Sequence, residues 1–198
     1  MPHTSEFQDQ TDFMILPWVS LFPGSLLPLF IFEERYREMT RAALAGNRMF
    51  AIAHSYDDAT VAPIGGLGII RACVTNEDGT SNLVLQGVSR VEFSSVSYLP
   101  RPHAKIRVLR DNEESRNLSG LRSRILTLCE SRLEGGMKSH EGFSDYLQGN
   151  ISDSAFADLI SSTLIPDETH RRALFETLEL DARLSLLLDL LSSNIESA

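Results

Sequence analysis

The sequence contains few of the features that mark a membrane-bound, secreted or disulfide-stabilised protein. No apolar run approaches the roughly 20 residues that a transmembrane helix needs. The first 12 residues are polar and lack both the basic region and the apolar core of a secretory signal. Cys73 and Cys129 stand far apart and outside any CxxC spacing, which is typical of buried thiols in a reducing compartment. We therefore expect a cytoplasmic protein.

Lysine is scarce, and basic residues are outnumbered by acidic ones. Lys105 and Lys138 are the only lysines, and 27 acidic residues face 18 basic residues, for a formal net charge of −9. An acidic chain gains little from counterion release at a nucleic-acid backbone, so nucleic acid is an unfavourable partner. The 198 residues, 42% of them hydrophobic, suffice for the core of one domain or of two small ones.

The sequence also lacks the motifs of enzyme active sites. It has no GxxxxGK[ST] phosphate loop, no HExxH and no cysteine–histidine cluster at ligand spacing, so we expect neither a cofactor nor a metal. Gly65, Gly66 and Gly68 do not fit a phosphate loop, and β-forming residues follow them, which indicates a strand or bulge. Neither lysine lies beside a nucleophile motif, so a serine–lysine pair has no support. We identify no catalytic residue.

What the sequence does contain is a distinctive stretch at residues 21–39, which reads LFPGSLLPLFIFEERYREM. Two prolines and a glycine exclude a helix from its first part, so we predict a turn followed by a short buried strand at 26–32. From Glu34 the apolar spacing becomes helical, and Gly46 is well placed to end the helix in a left-handed cap. A helix is therefore predicted at 34–45, as the only substantial helix before residue 110.

Short β-forming segments make up the remainder of the first half. An edge strand is predicted at 14–22, because proline is tolerated at a sheet edge, and the Asp78–Gly79 pair predicts a hairpin. Further strands are predicted at 49–54, 67–75, 82–88, 90–98 and 103–109, with a bend at Gly87. Six or seven short, mostly antiparallel strands with one inserted helix are typical of a small barrel or of two packed sheets.

Near residue 112 the composition changes, and helical spacing follows. Ser152, Asp167 and Asp181 are predicted helix N-caps. In the last helix, a leucine stripe is predicted to face the core at Leu184, Leu187, Leu188, Leu191 and Ile195. We therefore predict an α+β protein with a β-rich subdomain at 13–112 and a bundle of about four helical segments at 113–198.

Several segments closely resemble the signature of the Lon N-terminal (substrate-binding) domain family. They are LFPG at 21–24, LPL at 27–29, IFE at 31–33 and RYREM at 35–39, and the resemblance continues at 84–93 and 156–191. The family usually has histidine where this chain has Phe30 and proline where it has Glu34. The resemblance implies a PUA-like pseudobarrel that recognises polypeptide. Because the sequence contains neither a phosphate loop nor a serine–lysine motif, we expect a stand-alone, non-catalytic module without ATPase or protease modules.

The partners that the resemblance implies are unfolded or exposed apolar polypeptide segments, together with an ATP-dependent protease or chaperone. An edge strand can accept an extended peptide by strand addition, with apolar pockets for its side chains. The candidate binding residues are aromatic residues on or near the predicted edge: Trp18, Phe22, Phe30, Phe50 and Tyr56. Packing in the core is the alternative for each of these rings.

Two other function classes remain open. PUA-like folds are shared with RNA-binding modules, so fold analogy alone permits a nucleic-acid-binding function, against which the net charge of −9 argues. An uncharacterised hydrolase is the other class, and the missing catalytic constellation disfavours it.

Overall fold

The computed structural model describes residues 10–55, 61–111, 118–134, 147, 149 and 151–193. The chain divides into two compact units, Met1–Arg110 and Asp111–Ala198, which we call the β unit and the helical unit. That each forms an independently folding domain stays a prediction. Within the described residues, no helix is both long enough and apolar enough to cross a membrane.

Among its described residues, the β unit contains six strands and one helix. The elements are β1 Gln10–Ile15, β2 Leu26–Ile31, α1 Glu34–Ala45, β3 Met49–Ser55, β4 Val61–Thr75, β5 Ser81–Ser97 and β6 His103–Leu109. The predicted helix at 34–45 is confirmed at both ends, and the predicted strands at 49–54 and 103–109 are confirmed to within one residue. The left-handed cap predicted at Gly46 is wrong: Gly46 has φ −111°, and its N–H donates to the carbonyl oxygen of Ala43.

Five of the strands form a closed circuit, in the order β5–β4–β3–β1–β6 and back to β5. All neighbours in the circuit are antiparallel except β1 and β3, which run parallel. Successive side chains of β1 enter different cores: Phe13 packs with Ala51, Val91 and Phe93, whereas Met14 packs in a cluster that includes residues of α1. The expected small barrel with one inserted helix is confirmed.

The segment between β1 and β2 corrects one prediction. The strand predicted at 14–22 is wrong, since β1 ends at Ile15 and the chain then turns at Pro17 and Trp18. Leu21 and Phe22 are fully buried, and their backbones cross closely over glycines of β4 and β5. A side chain on Gly66 or Gly87 would collide with the backbone of this crossing segment, whereas one on Gly68 would collide with the side chain of Leu85.

The predicted limits of the two long strands are also wrong. β4 starts at Val61, and β5 runs without a break through Gly87, where a bend was predicted. The two strands stay paired on both sides of these glycines, so neither strand is interrupted there. Gly66 pairs with Arg90 and Gly68 with Gly87, and the register shifts between Leu67 and Gly68. These glycines mark a close approach of backbone and a bulge within continuous strands.

The helical unit contains four described helices: α2 Ser119–Glu134, α3 Asp153–Leu164, α4 Glu168–Glu176 and α5 Leu180–Ser193. The N-caps at Ser152 and Asp167 are confirmed, because their side chains accept hydrogen bonds from the backbone N–H groups of Ala155 and His170. The N-cap prediction at Asp181 is wrong. The carbonyl oxygen of Glu179 accepts the first helical bond, from Arg183, so Asp181 lies within the first turn.

The predicted leucine stripe forms part of the core of the helical unit. Its four described members, Leu184, Leu187, Leu188 and Leu191, are buried, and Ile195 lies outside the described residues. Apolar residues of the neighbouring helices are buried in the same unit: Ile125, Phe156, Ile160, Leu174 and Phe175.

Candidate functional site

Strand β2 lies outside the closed circuit and forms a sheet edge. It pairs with β5 through six consecutive residues, from Leu26 opposite Gln86 to Ile31 opposite Ser81. Among the strands that the structure describes, β5 is its only partner. On its other long side β2 pairs with no described strand, so as far as the described residues go this edge is available to a further strand.

The side chains of β2 alternate between the core and solvent. Leu27, Leu29 and Ile31 pack into or against the core cluster that contains α1. Leu26 and Phe30 are 64% and 57% exposed, and Pro28 between them is also exposed. A strand with one buried face normally carries polar residues on the other, so three apolar residues in solvent form an unusual surface.

The apolar surface continues across the two neighbouring strands. Residues directly opposite one another in a ladder share a face of the sheet. The registers of β2 with β5 and of β5 with β4 therefore place nine residues on one face, which we call the outer face: Leu26, Pro28, Phe30, Ile69, Ala72, Val74, Asn82, Val84 and Gln86. None of its side chains is ionisable.

Two exposed aromatic rings and a shallow cavity lie on or beside this face. Phe32, just beyond β2, is 61% exposed, and its ring stacks with that of Phe30 at a centroid distance of 6.0 Å and an interplanar angle of 27°. Val74 on β4 is 65% exposed. A cavity of about 510 Å³ lies among β2, β5 and β4 and is lined mainly by apolar side chains. Contiguous exposed apolar surface of this kind marks an interaction site.

Helix α1 braces one end of the outer face. The Arg37 guanidinium donates from Nε to the carbonyl oxygen of Gly79 at 2.9 Å and from Nη2 to that of Asp78 at 3.1 Å. Both acceptors lie in the hairpin turn between β4 and β5. Gly79 has φ +81°, and a Cβ there would collide with Arg37. The hairpin is therefore held against the helix, which fixes the strands that carry the face.

A second cavity, elsewhere in the β unit, has a more polar lining. It measures about 410 Å³ and is lined by polar as well as apolar groups, with Asp12, Arg101 and His103 among them. Arg101 Nε and Asp12 Oδ2 are paired at 2.6 Å, and the carbonyl oxygen of Arg101 lies 2.9 Å from His103 Nδ1. Over the described residues there is no group of three or more histidine, cysteine or acidic side chains that could hold a metal.

The family is decided by the match along the chain. The family model described as the ATP-dependent protease La (LON) substrate-binding domain matches residues 12–193. The chain belongs to this family.

Two Lon proteases are similar in sequence to this chain. The chain is 28% identical to Lon protease 2 of Herpetosiphon aurantiacus over 197 residues, which cover 92% of this chain and 24% of that protein. It is 23% identical to Lon protease of Desulfosudis oleivorans over 189 residues, which cover 89% and 23%. The chain thus spans about a quarter of the length of these Lon proteases.

Two solved structures have the same fold. One is the N-terminal domain of Mycobacterium avium complex Lon protease, with a TM-score of 0.78, 19% identity and coverage of 92% of this chain and 98% of that one. The other is the Lon N-terminal domain protein from Xanthomonas campestris, with a TM-score of 0.70, 20% identity and coverage of 91% and 97%. The predicted α+β Lon N-terminal fold is confirmed.

The structure separates the five aromatic residues that the sequence suggested as binding residues of this Lon domain. Phe30 lies on the outer face. Trp18 is 75% exposed but belongs to the turn after β1. Phe22 and Phe50 are fully buried, so neither ring is available at the surface. Tyr56 lies outside the described residues.

The burial of two of these rings has simple causes. Phe22 lies under the guanidinium of Arg90, at 5.7 Å from ring centroid to Cζ, in the segment that crosses β5. Phe50 belongs to the buried strand β3 and packs in the cluster of Met14 and Met39.

Sequence reasoning missed most of the outer face. Leu26 and Val74 were not predicted, because they are aliphatic and the candidate binding residues were chosen among aromatic residues. The available signal was the run LLPLFIF at 26–32, in which both alternating sets of residues are apolar. A strand with two apolar faces and only one core to enter leaves one face in solvent. Phe30 is also the position where the family signature usually has histidine.

Proposed function

We propose that this Lon substrate-binding domain is a non-catalytic module that recognises exposed apolar segments of polypeptide through its outer face. The observation that carries the proposal is the exposure of Leu26, Phe30 and Val74 on one uncharged face beside an open strand edge. Family membership supports the same function. An ATP-dependent protease or chaperone is the proposed recipient of the bound polypeptide.

The size of the surface predicts modest affinity. Each buried aromatic anchor contributes roughly 1–2 kcal/mol, and only a few side chains of an interface dominate its energy. Binding also costs the ordering of a flexible polypeptide. We therefore expect dissociation constants in the micromolar range, which corresponds to about 8 kcal/mol. Affinity of this order suits a module that binds and releases many different clients.

The charge distribution disfavours the RNA-binding alternative. Residues 111–198 contain 16 acidic and 8 basic residues, whereas residues 1–110 contain 11 and 10, so the helical unit holds most of the negative charge. In the nearly neutral β unit, four arginines pair with carboxylates: Arg35, Arg37, Arg101 and Arg107. Paired guanidinium groups provide little of the counterion release on which nucleic-acid affinity depends.

We also place the protein in the cytoplasm. The support is cysteine usage: Cys73 in the β unit and Cys129 in the helical unit form no disulfide. Cysteines outside disulfides are typical of a reducing compartment.

The experiment uses three single charge substitutions at exposed apolar residues. Phe30→Glu changes the outer face, Trp18→Glu changes the turn after β1, and Val96→Glu on the distal half of β5 is the matched control. Each variant is assayed for its thermal midpoint and for binding to a reduced, fluorescently labelled, unfolded client. Exposed sites tolerate substitution within about 0.5 kcal/mol, so all three midpoints should stay near that of the wild type.

Only Phe30→Glu should weaken binding, by at least tenfold. Unchanged binding by this variant with an unchanged midpoint would remove the outer face as the site. Loss of binding by Trp18→Glu alone would assign the site to the turn after β1 instead.

A further inference from the structure

We infer that the outer face selects a tyrosine within an apolar segment of its client, and that Asn82 is the residue that sets this preference. The tyrosine ring stacks on Phe30, and its hydroxyl group exchanges hydrogen bonds with the side-chain amide of Asn82. This inference rests on the proposed function, since it names one side chain that the same face would bind.

The cavity on the outer face has the width of a single side chain. Residues opposite one another in the two ladders form rows across the sheet. The row nearest the hairpin turn is Phe30, Asn82 and Val74, and the next row is Pro28, Val84 and Ala72. Both rows line the cavity of about 510 Å³. Since Phe30 and Val74 lie two strand spacings apart, about 10 Å between backbones, the space between their side chains is too narrow for a helix of roughly 10–12 Å diameter.

Phe30 turns one face of its ring towards this cavity. The other face stacks with Phe32, at 6.0 Å between centroids and an interplanar angle of 27°. Phe32 lies beyond the end of β2, whereas Pro28 lies on the opposite side of Phe30 along the strand. The ring face that Phe32 leaves uncovered is therefore directed towards Pro28 and the cavity. A third ring can stack there, on a partner that Phe32 already holds in place.

The carboxamide of Asn82 supplies the hydrogen-bonding groups of the cavity. The other polar lining group is the thiol of Cys73, whose side chain packs against the core cluster. Within the part of the chain that the structure describes, the side chain of Asn82 forms no hydrogen bond. The side-chain oxygen of Gln86, on the same strand, accepts from Arg71 Nε at 2.5 Å. Asn82 thus keeps both its oxygen and its NH₂ group for a ligand.

Tyrosine is the side chain that matches both parts of this arrangement. Its ring can stack on Phe30, and its hydroxyl both donates and accepts, as the carboxamide of Asn82 does. Phenylalanine would displace water from Asn82 without replacing its hydrogen bonds, which lowers affinity. Lysine and arginine can also approach a ring, but the outer face has no carboxylate to pair with their charge.

The test compares three blocked peptides that differ at one central position of the same apolar run. The central residue is tyrosine, phenylalanine or O-methyltyrosine. The wild-type protein should bind the tyrosine peptide about fivefold more tightly than the phenylalanine peptide, which is the effect of one net hydrogen bond. O-Methyltyrosine keeps the ring but cannot donate, so its affinity should fall to about that of phenylalanine. Equal binding of the tyrosine and phenylalanine peptides would overturn the inference.

Two substitutions at Asn82 separate its amide from its size. Asn82→Leu has nearly the same volume but no hydrogen-bonding group, so the ratio between the tyrosine and phenylalanine peptides should fall to within about twofold. Asn82→Asp keeps an acceptor and should retain the preference for tyrosine. Gln86→Leu, on the same strand and face, is the matched control and should leave the ratio unchanged. A tyrosine preference that persists in Asn82→Leu would overturn the assignment to Asn82.

Protein stability is measured on the same variants. Asn82 is exposed, so each substitution should leave the thermal midpoint near that of the wild type, as exposed sites tolerate change within about 0.5 kcal/mol. The ratio between two peptides on one variant is also insensitive to the fraction of folded protein, because both peptides meet the same sample. A changed ratio therefore reports selectivity rather than unfolding.

Failure of this inference and failure of the proposed function give different results. If Phe30→Glu abolishes binding of all three peptides while Asn82→Leu alters no ratio, the face binds polypeptide without selecting tyrosine, and only the inference falls. If Phe30→Glu leaves all three affinities unchanged, both fall. A dimer in sedimentation that Phe30→Glu dissociates would assign the face to a second copy of the chain, which would also overturn the inference.

Discussion

The backbone of Phe22 passes over Gly87 so closely that a Cβ on Gly87 would collide with the carbonyl oxygen of Phe22. The two residues are 65 positions apart in sequence. The contact ties the turn before β2 to the middle of β5, and the flanking hydrogen bonds from Gly24 to Gly87 and from Gly87 to Ser25 secure it. It is therefore the point at which the edge strand of the proposed binding surface is anchored.

Gly87→Ala tests this anchor. The new methyl group meets backbone rather than a flexible side chain, so the crossing segment must shift, at a cost of about 2–3 kcal/mol by analogy with overpacked cores. The midpoint of chemical denaturation should fall accordingly, and client binding should weaken because β2 is displaced. Gly120→Ala in α2 is the control: a Cβ there has no neighbour within 4 Å, and alanine favours the helix, so stability should stay the same or rise slightly. An unchanged midpoint for Gly87→Ala would contradict the anchor.

A second prediction concerns Asp78 in the hairpin turn. Hydrogen bonds from the side chain and the backbone N–H of Thr80 hold the pKa of Asp78 below its ordinary value of 3.8, with Oγ1 at 2.7 Å and N at 3.0 Å from Oδ1. The pKa of Asp78 is lower in the folded protein than in the unfolded chain. The charged carboxylate therefore stabilises the fold at pH values above the unfolded-state pKa, and this stabilisation is lost as the pH falls through the folded-state pKa. Acid should therefore loosen the turn only below about pH 4, and Asp78 should stay charged at neutral pH.

Carboxyl NMR titration checks both parts of this prediction. In the wild type the Asp78 carboxyl should titrate below 3.8. Thr80→Val removes the hydroxyl donor but keeps the backbone N–H, so the pKa should rise part of the way towards its ordinary value. An unaltered titration in Thr80→Val would show that the hydroxyl is not the main cause.

The fold was predictable from sequence where the determining signals were local. The helix at 34–45 was located correctly because the change of period at Glu34 and the glycine at 46 lie within it or beside it. The strand predicted at 14–22 failed because its end depends on pairing with β3 and on the crossing over Gly66 and Gly87. A local sequence pattern cannot predict contacts between residues that lie so far apart in the sequence.

The candidate site was less predictable than the fold, for a related reason. Aromatic residue type does not reveal which face of a strand a ring occupies; Phe30 is exposed and Phe50 is buried because of the strands that flank them. The outer face is assembled from β2, β5 and β4. Its members could be named only once the two registers were known.

The last prediction concerns the core of the helical unit, where the fully buried guanidinium of Arg183 is held by Asp111. Arg183 Nη1 and Nη2 donate to Asp111 Oδ1 and Oδ2 at 2.9 and 2.7 Å, and Nη1 also donates to the carbonyl oxygen of Thr177 at 3.2 Å. The side chain of Arg183 is 0% exposed and that of Asp111 13% exposed. A second carboxylate, that of Asp158, is also buried and lies 3.7 Å from Arg183 Nε. Removal of one partner of a buried pair typically costs about 3–5 kcal/mol, and because Asp158 remains, the loss of Asp111 should lie at the lower end of that range.

Asp111→Ala should therefore lower the stability of the helical unit by an amount in that range, measured by chemical denaturation followed through helical circular dichroism. Arg183→Lys should also be destabilising, because an ammonium group cannot reproduce the two parallel bonds of the guanidinium fork. The control is Arg172→Ala, which removes a half-buried pair with Glu176 at 3.2 Å on the surface of α4 and should cost less than about 1 kcal/mol. If Asp111→Ala proved no more harmful than Arg172→Ala, the buried pair would contribute nothing beyond an ordinary surface ion pair.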